Sequence, residues 1–290
     1  MVMLKPLRSE VYRLRRRWMP YVMLTIIAIA PMAIYVLVYV ALQAQLTAIA
    51  NGTLPAEPGQ EEALSQTLRA LRPDQVQSFG LSIVGGVAGV MLIVFAASQV
   101  GTEFNWGTLR TLLAHGASRG EFLSAKLLAI ALFAVLLLAV GVAAACAGSL
   151  IVSALSRSDM SGLDLAAVMN LAARGYYTEL PLIALAALLA LWSRSAGAGI
   201  AGGLVLSFTE STIGGILVQI DRSFANIVNY GISRNAQAIM QAPRAPGAPP
   251  DPTAVALPDA GQAAIVLAIY TIGFIAIAYW RLRTRDITLG

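Results

Sequence analysis

Apolar residues in this chain run on for far longer than a soluble core requires. Six stretches, 20–46, 79–100, 124–155, 175–192, 197–219 and 261–280, are predominantly apolar. About 20 such residues in a helix cross the hydrocarbon layer of a bilayer. Lipid offers the backbone no hydrogen-bond partners, so a lipid-facing run of this kind is helical. The pattern predicts an all-α fold: a polytopic membrane protein whose six transmembrane helices form a single transmembrane domain over residues 1–290.

The first run follows a basic leader ending in Arg15, Arg16 and Arg17. It exceeds the usual core of a signal peptide and has no small-residue cleavage site, so it reads as a retained anchor. Pro20 stands near the helix start and Pro31 marks a kink. With the N-terminus inside, 13 of the 20 lysines and arginines fall in inner segments, among them Arg110, Arg119, Lys126, Arg194 and Arg281. The positive-inside rule then puts both termini in the cytoplasm, as an even number of spans requires. Outer loops are expected at about 47–78, with a short helix over Ala63–Leu71, and at 221–258. The second begins mildly apolar around Phe224 to Met240 and turns Pro/Ala-rich from Pro243 to Pro258. That composition predicts an irregular segment.

Composition agrees with lipid burial. Only 12% of residues are charged against 58% hydrophobic, where a soluble domain carries about 25% charged. The net charge of +5 does not signal nucleic acid, because the positive residues sit at the ends of apolar runs without interleaved aromatics. They suit an anionic membrane face instead. One cysteine, Cys146, excludes an intramolecular disulfide, and with a single histidine, His115, leaves no soft-metal site. An intramembrane hydrolase would want a serine with a base, paired aspartates or a histidine pair, and the spans offer none. A secondary transporter or channel is the stronger rival, although no inverted repeat is visible. A non-transporting anchor or sensor is a third class.

The most informative inner segment is Thr102–Gly116. Thr102 reads as an N-cap and Gly116 as a stop. At about 100° per residue, Trp106, Leu109, Leu112 and Leu113 share a third of the circumference, so the stretch predicts a short amphipathic helix along the inner face. Ser118-x-x-Glu121 is a capping box opening the third span, with Lys126 just over a turn further on. From the residues alone this helix is either a connector shielding span ends or a lever pushed by another protein.

Glu103-x-x-x-Gly107-Thr108-Leu109-Arg110, then Gly116-x-Ser118-Arg119 and Lys126, resembles the coupling-helix region of ABC-2-type transporter permeases. The basic leader, the six-span plan, Arg194-Ser195-Ala196-Gly197 and Arg285-Asp286 extend the likeness over most of the chain. The resemblance implies an exporter permease in the bacterial cytoplasmic membrane. Such a permease pairs with a second copy or a related permease and sits on cytoplasmic ATP-binding cassette subunits, which bind ATP and Mg. It further implies that Glu103, Trp106, Gly107, Thr108, Leu109, Arg110, Leu113 and Gly116 form the ATPase contact, with Arg119 and Lys126 bracing the hinge. The substrate would be an amphipathic small molecule, peptide or lipid. The chain itself holds no cofactor motif: a phosphate-binding loop requires Gly-Lys, and neither Lys5 nor Lys126 follows a glycine.

Two acids fall inside the spans. Glu179, two residues before Pro181, is expected near the outer end of span four. Glu210, flanked by Ser207, Thr209, Ser211 and Thr212, is expected to face the translocation route or dimer interface, or else to make an inter-helix hydrogen bond. Gly199-x-x-x-Gly203 and Gly85-Gly86 with Gly89 permit close helix packing, within the subunit or at the dimer seam. Trp18, Tyr21, Trp192 and Trp280 read as interfacial anchors.

Overall fold

A computed structural model describes residues 4–55, 59–105, 118–241 and 257–284, and among these every regular element is helical. In chain order they are α1 (Leu4–Arg16), α2 (Trp18–Ala50), α3 (Gln60–Ala70), α4 (Leu81–Asn105), α5 (Arg119–Leu155), α6 (Leu165–Ser193), α7 (Ala196–Ile220), α8 (Ala225–Val228), α9 (Ile232–Gln241) and α10 (Ala260–Thr284). Among the described residues six helical segments are long and apolar enough to cross a membrane: α2, the segment Pro73–Phe104, α5, α6, α7 and α10. This is the pattern of a multi-pass membrane protein.

Each predicted span is present, and most extend past their apolar run. The difference is largest for α6, which begins at Leu165 and not near residue 175. Glu179 therefore sits mid-helix. The helix continues through Pro181, so that proline does not mark a terminus. Thr102 is likewise no N-cap. It lies within α4, where its hydroxyl donates to the Ser98 carbonyl at 2.7 Å, and the helix carries Glu103 with it. The rest of the expected coupling helix lies outside the described residues, including Trp106, Gly107, Thr108, Leu109, Arg110, Leu113 and Gly116. So does the stretch 242–256.

Contacts divide the chain into two compact units, taken over their described residues. One comprises Arg17–Ala88 and Val135–Ala173. Its centre is the fully buried Tyr35, whose ring meets Phe79 edge-on at 5.2 Å. Glycines make that burial possible. A Cβ on Gly148 would stand 3.1 Å from the Tyr35 ring and 3.2 Å from the Met32 backbone, and one on Gly80 would crowd the Tyr35 hydroxyl. Ile27 and Val84 pack on Gly141 in the same way.

The other unit comprises Met1–Arg16, Gly89–Ala134 and Arg174–Gly290. Within it α4 and α5 form an antiparallel pair, fastened by Phe95 stacked on Phe133 with centroids 4.0 Å apart. Segment 225–241, whose mildly apolar composition left its fold open, forms α8 and α9. Ile232, Asn235, Ala238 and Ile239 recur at helical spacing on the buried side of α9. The apolar members of that set meet Ala263 and Leu267 of α10, with Tyr177 of α6 against the cluster. The Tyr177 hydroxyl donates to the Ala264 carbonyl at 2.6 Å. The sequence signal for α9 was weak because only half its positions are apolar.

The glycine packing generates a test. Gly148→Val overpacks Tyr35 and lowers stability by about 1–3 kcal/mol, read as an earlier thermal transition in detergent. Gly85→Ala, whose Cβ meets nothing within 4 Å, raises stability by up to about 1 kcal/mol through helix propensity.

Candidate functional site

Four charged side chains converge where α1, α4 and the start of α5 meet. Lys126 is the hub. Its ammonium donates to Glu103 Oε1 at 2.7 Å and to the Gln99 carbonyl at 3.1 Å, and Glu10 Oε2 lies 3.3 Å away. An ammonium has three donors and no acceptor, and here three oxygens meet it. Arg13 adds the second cation, 3.4 Å from Glu10 Oε1 and 3.7 Å from Glu103 Oε1. Exposure is 1% for Glu103, 1% for Lys126 and 6% for Glu10. The Phe122 ring, one turn back on α5, approaches the Lys126 ammonium at 5.3 Å and so helps to screen it from water while favouring its charge.

Such a cluster survives burial because its two acids and two bases cancel. A charge taken out of water is costly unless paired and hydrogen-bonded. The antiparallel α4–α5 pair supplies the geometry. From Phe95 to Glu103 is eight residues along α4, and from Phe133 to Lys126 is seven along α5, so the ion pair falls two turns beyond the stacked rings. The cluster therefore ties together the two helices that lead into and out of segment 106–117.

Neighbouring contacts fix the same end of this unit. Ser118 and Glu121 form the expected capping box: Glu121 Oε2 accepts from the Ser118 backbone at 3.2 Å, and the Ser118 hydroxyl accepts from the Glu121 backbone at 3.1 Å. Arg119 donates to the carbonyls of Leu282 and Arg283 at 3.0 and 3.3 Å, covering acceptors that the last turn of α10 leaves free. Arg281 lies over the Trp192 ring at 4.5 Å. Ser195 caps α7 by accepting from the Ala198 backbone at 3.3 Å. Gly101 abuts Ala196 so closely that no side chain fits there. The described N- and C-terminal helices thus reach the same end of this unit.

Of the residues expected at the site, Glu103 and Lys126 are brought into direct contact and Arg119 braces the adjoining helix end. Glu10 was not foreseen. Its signal was the inward face of α1, where Leu7, Glu10, Arg13 and Leu14 recur at helical spacing and are less exposed than Arg8, Val11, Tyr12, Arg15 and Arg16.

Glu210 lies apart from this cluster. Its Oε1 accepts from the Ser233 backbone at 2.9 Å and from the Ser233 hydroxyl at 3.2 Å, hard against Gly231. The carboxylate thereby takes the place of an N-cap for α9, where negative charge suits the helix dipole. Of the two roles expected for it, the inter-helix hydrogen bond is the one in view. Just beyond α7, the Ser223 backbone and hydroxyl hold the exposed Asp221 below the usual carboxylate range. Gly199 and Gly203 are both buried within the chain. Gly199 receives Ala190, and Gly203 receives Ile93 and Ala186, so the close approach they permit is intramolecular.

A family model described as a protein of unknown function, DUF2705, matches residues 74–288. It takes in Glu103, Lys126 and Glu210, and leaves Glu10 and Arg13 outside. No curated protein matches the chain.

Two tests follow from these contacts. Lys126→Met strands two buried carboxylates and destabilises the chain by about 3–5 kcal/mol. Adding Glu103→Gln to it recovers part of that loss in a double-mutant cycle read by thermal unfolding. For the α9 cap, Glu210→Leu costs about 1–3 kcal/mol by leaving Ser233 unpaired. Glu210→Gln, which keeps an acceptor oxygen, loses less in the same assay.

Proposed function

The chain belongs to the DUF2705 family, and on the geometry of its charge cluster we propose that it is the membrane-spanning subunit of an ATP-driven exporter whose ATPase is a separate polypeptide. In this reading it resides in a bacterial cytoplasmic membrane with both termini inside and pairs with a second permease, a copy or a relative. It moves an amphipathic small molecule, peptide or lipid. Segment 106–117 is the part the ATPase touches, through Trp106, Gly107, Thr108, Leu109, Arg110 and Leu113, with Gly116 at its end.

The observation that supports this reading is the buried Lys126–Glu103 pair. A loop that transmits force must be joined stiffly to the spans it moves, and a flexible joint would dissipate the displacement. Glu103 stands three residues before segment 106–117 and Lys126 nine after it, and the two are hydrogen-bonded out of water. The bond to Glu10 carries the same displacement into α1. Conformational coupling of this kind travels through packed, discrete contacts with two arrangements. The chain's own side chains provide no catalysis in this scheme: they hold and transmit, while ATP and Mg belong to the partner. The coupling-helix resemblance adds to the reading from the sequence side.

A second reading, a secondary transporter or channel, draws on Glu179. Its carboxyl sits mid-helix in α6 with Oε2 buried and unpartnered, and a Cβ on Gly89 would lie 3.1 Å from it. Intramembrane acids of that kind occur in proton and ion relays. The ATP-driven reading is preferred because Glu179 has no second ionisable partner among the contacts described, whereas the cluster at Lys126 joins three helices.

The test is co-purification of the tagged full chain from its native membrane. An ATP-hydrolysing subunit should accompany it, Arg110→Glu should release that subunit, and Gly85→Ala should not. Glu103→Gln should leave the subunit bound but reduce its permease-dependent ATP turnover severalfold. An absent ATPase, or one held and regulated equally by all variants, contradicts the proposal. Proton-driven flux in proteoliposomes without ATP would favour the second reading.

A further inference from the structure

The unit formed by Arg17–Ala88 and Val135–Ala173 carries a cavity of about 260 Å³ between α2, α3 and the C-terminal end of α5. Its polar lining includes Arg69, Arg72, Gln43, Ser153, Ser156 and Ser158. Among the described residues no acidic side chain lines it. We infer that this cavity is a binding site for a phosphate-type oxyanion, the headgroup of an amphipathic molecule or the free ion. The inference is independent of the ATP-driven reading above.

Three features carry it. First, two guanidinium groups border one small space, and neither has an ion pair among the described residues. The exposed Asp159 feels the Arg72 charge, but it accepts from the Ser161 backbone at 2.8 Å and hydroxyl at 2.6 Å and is not among the cavity's lining residues. Two arginines in a lining that includes no carboxylate suit phosphate, whose oxygens match the guanidinium fork. Second, Ser153 is 0% exposed, lines the cavity, and its hydroxyl has no partner. Buried hydroxyls are ordinarily hydrogen-bonded, and an orphan is the mark of an absent partner. Third, the hydroxyls come grouped. The Ser156 and Ser158 hydroxyls lie 2.9 Å apart, and Ser156 also donates to the Ser153 carbonyl at 3.2 Å. A carboxylate has two oxygens to offer such a set, whereas a tetrahedral oxyanion has three or four.

Size and setting bear on the source. A site of this volume holds a headgroup and not a whole amphiphile, since drug-sized ligands fill roughly 300–1,000 Å³. The cavity occurs where the apolar run of α2 gives way to Gln43, Gln45 and Thr47, and that of α5 to Ser156, Arg157 and Ser158. On these same helices Leu37, Val40 and Leu155 are exposed, giving a tail an apolar surface within two turns of the lining residues Gln43 and Ser153.

The experiment uses the full chain in a neutral detergent, with dihexanoyl phosphatidic acid, dihexanoyl phosphatidylcholine and inorganic phosphate as separate probes. Binding is read by native mass spectrometry and titration calorimetry. One phosphatidic acid per chain is expected, weakened about tenfold by Arg69→Gln and again by Arg72→Gln, the loss of a charge-assisted bond in each case. Ser153→Ala, which keeps the packing, should weaken it severalfold. Arg157→Gln, an arginine outside the lining, should change nothing. Phosphatidic acid bound far more tightly than inorganic phosphate identifies a lipid-type headgroup, and equal affinities identify the free ion. The inference is overturned if neither anion binds, if phosphatidylcholine binds as well as phosphatidic acid, or if Arg157→Gln weakens binding as much as the lining variants.

Discussion

Two carboxylates and the Lys126 ammonium share a nearly water-free space where α1, α4 and α5 meet, with the partly exposed Arg13 at its edge, and none of the three can be left there alone. Glu103 and Lys126 are each 1% exposed, so neither can recover its hydration by a small shift of rotamer. The cost of an unpaired buried charge, several kcal/mol in real proteins, holds the α4 and α5 ends in register. It also recruits α1 through Glu10. A hydrophobic contact would resist separation too, but it would tolerate sliding. A hydrogen-bonded ammonium with three oxygens around it permits far less.

That constraint explains why so many helix ends of this unit are fastened by specific polar contacts and not by apolar packing alone. Arg119 covers the last carbonyls of α10, Arg281 lies over Trp192 of α6, and Ser118 and Glu121 cap α5 reciprocally. In lipid the helix sides gain little from apolar contact with one another, because lipid is equally apolar. Specificity must then come from small-residue packing along the spans and from polar locks at their ends. Gly199 and Gly203 against α6 supply the former. Glu210 on Ser233 is a lock of the same chemical kind, used to hold the start of α9.

The spans were legible because lipid imposes a length and a composition on every helix that crosses it. Their ends were not, because hydropathy reports where lipid stops and not where backbone hydrogen bonding stops. Leu165–Arg174 and Thr102–Asn105 are helical beyond the apolar run for that reason. The capping box at Ser118 was readable, since its two bonds are local. Glu103 and Lys126 were each singled out, but their partnership depends on the antiparallel register of two helices, which no local pattern states. Glu10 was hidden by its basic neighbours. The fold of α9 escaped notice because its buried face needs α10 and Tyr177 beside it to make sense.

If force enters through segment 106–117, that segment must touch a nucleotide-hydrolysing partner and move with its cycle. The most direct measurement is site-specific cross-linking from Leu109→Cys, in a chain where Cys146 has been replaced by alanine, to the partner in native membranes. The account predicts a cross-link to an ATPase subunit whose yield changes between nucleotide-free and ATP-bound states. It also predicts that Lys126→Met abolishes that change while leaving the cross-link itself. A thiol at 109 that reacts only from the opposite side of the membrane, or that never meets an ATPase, contradicts it.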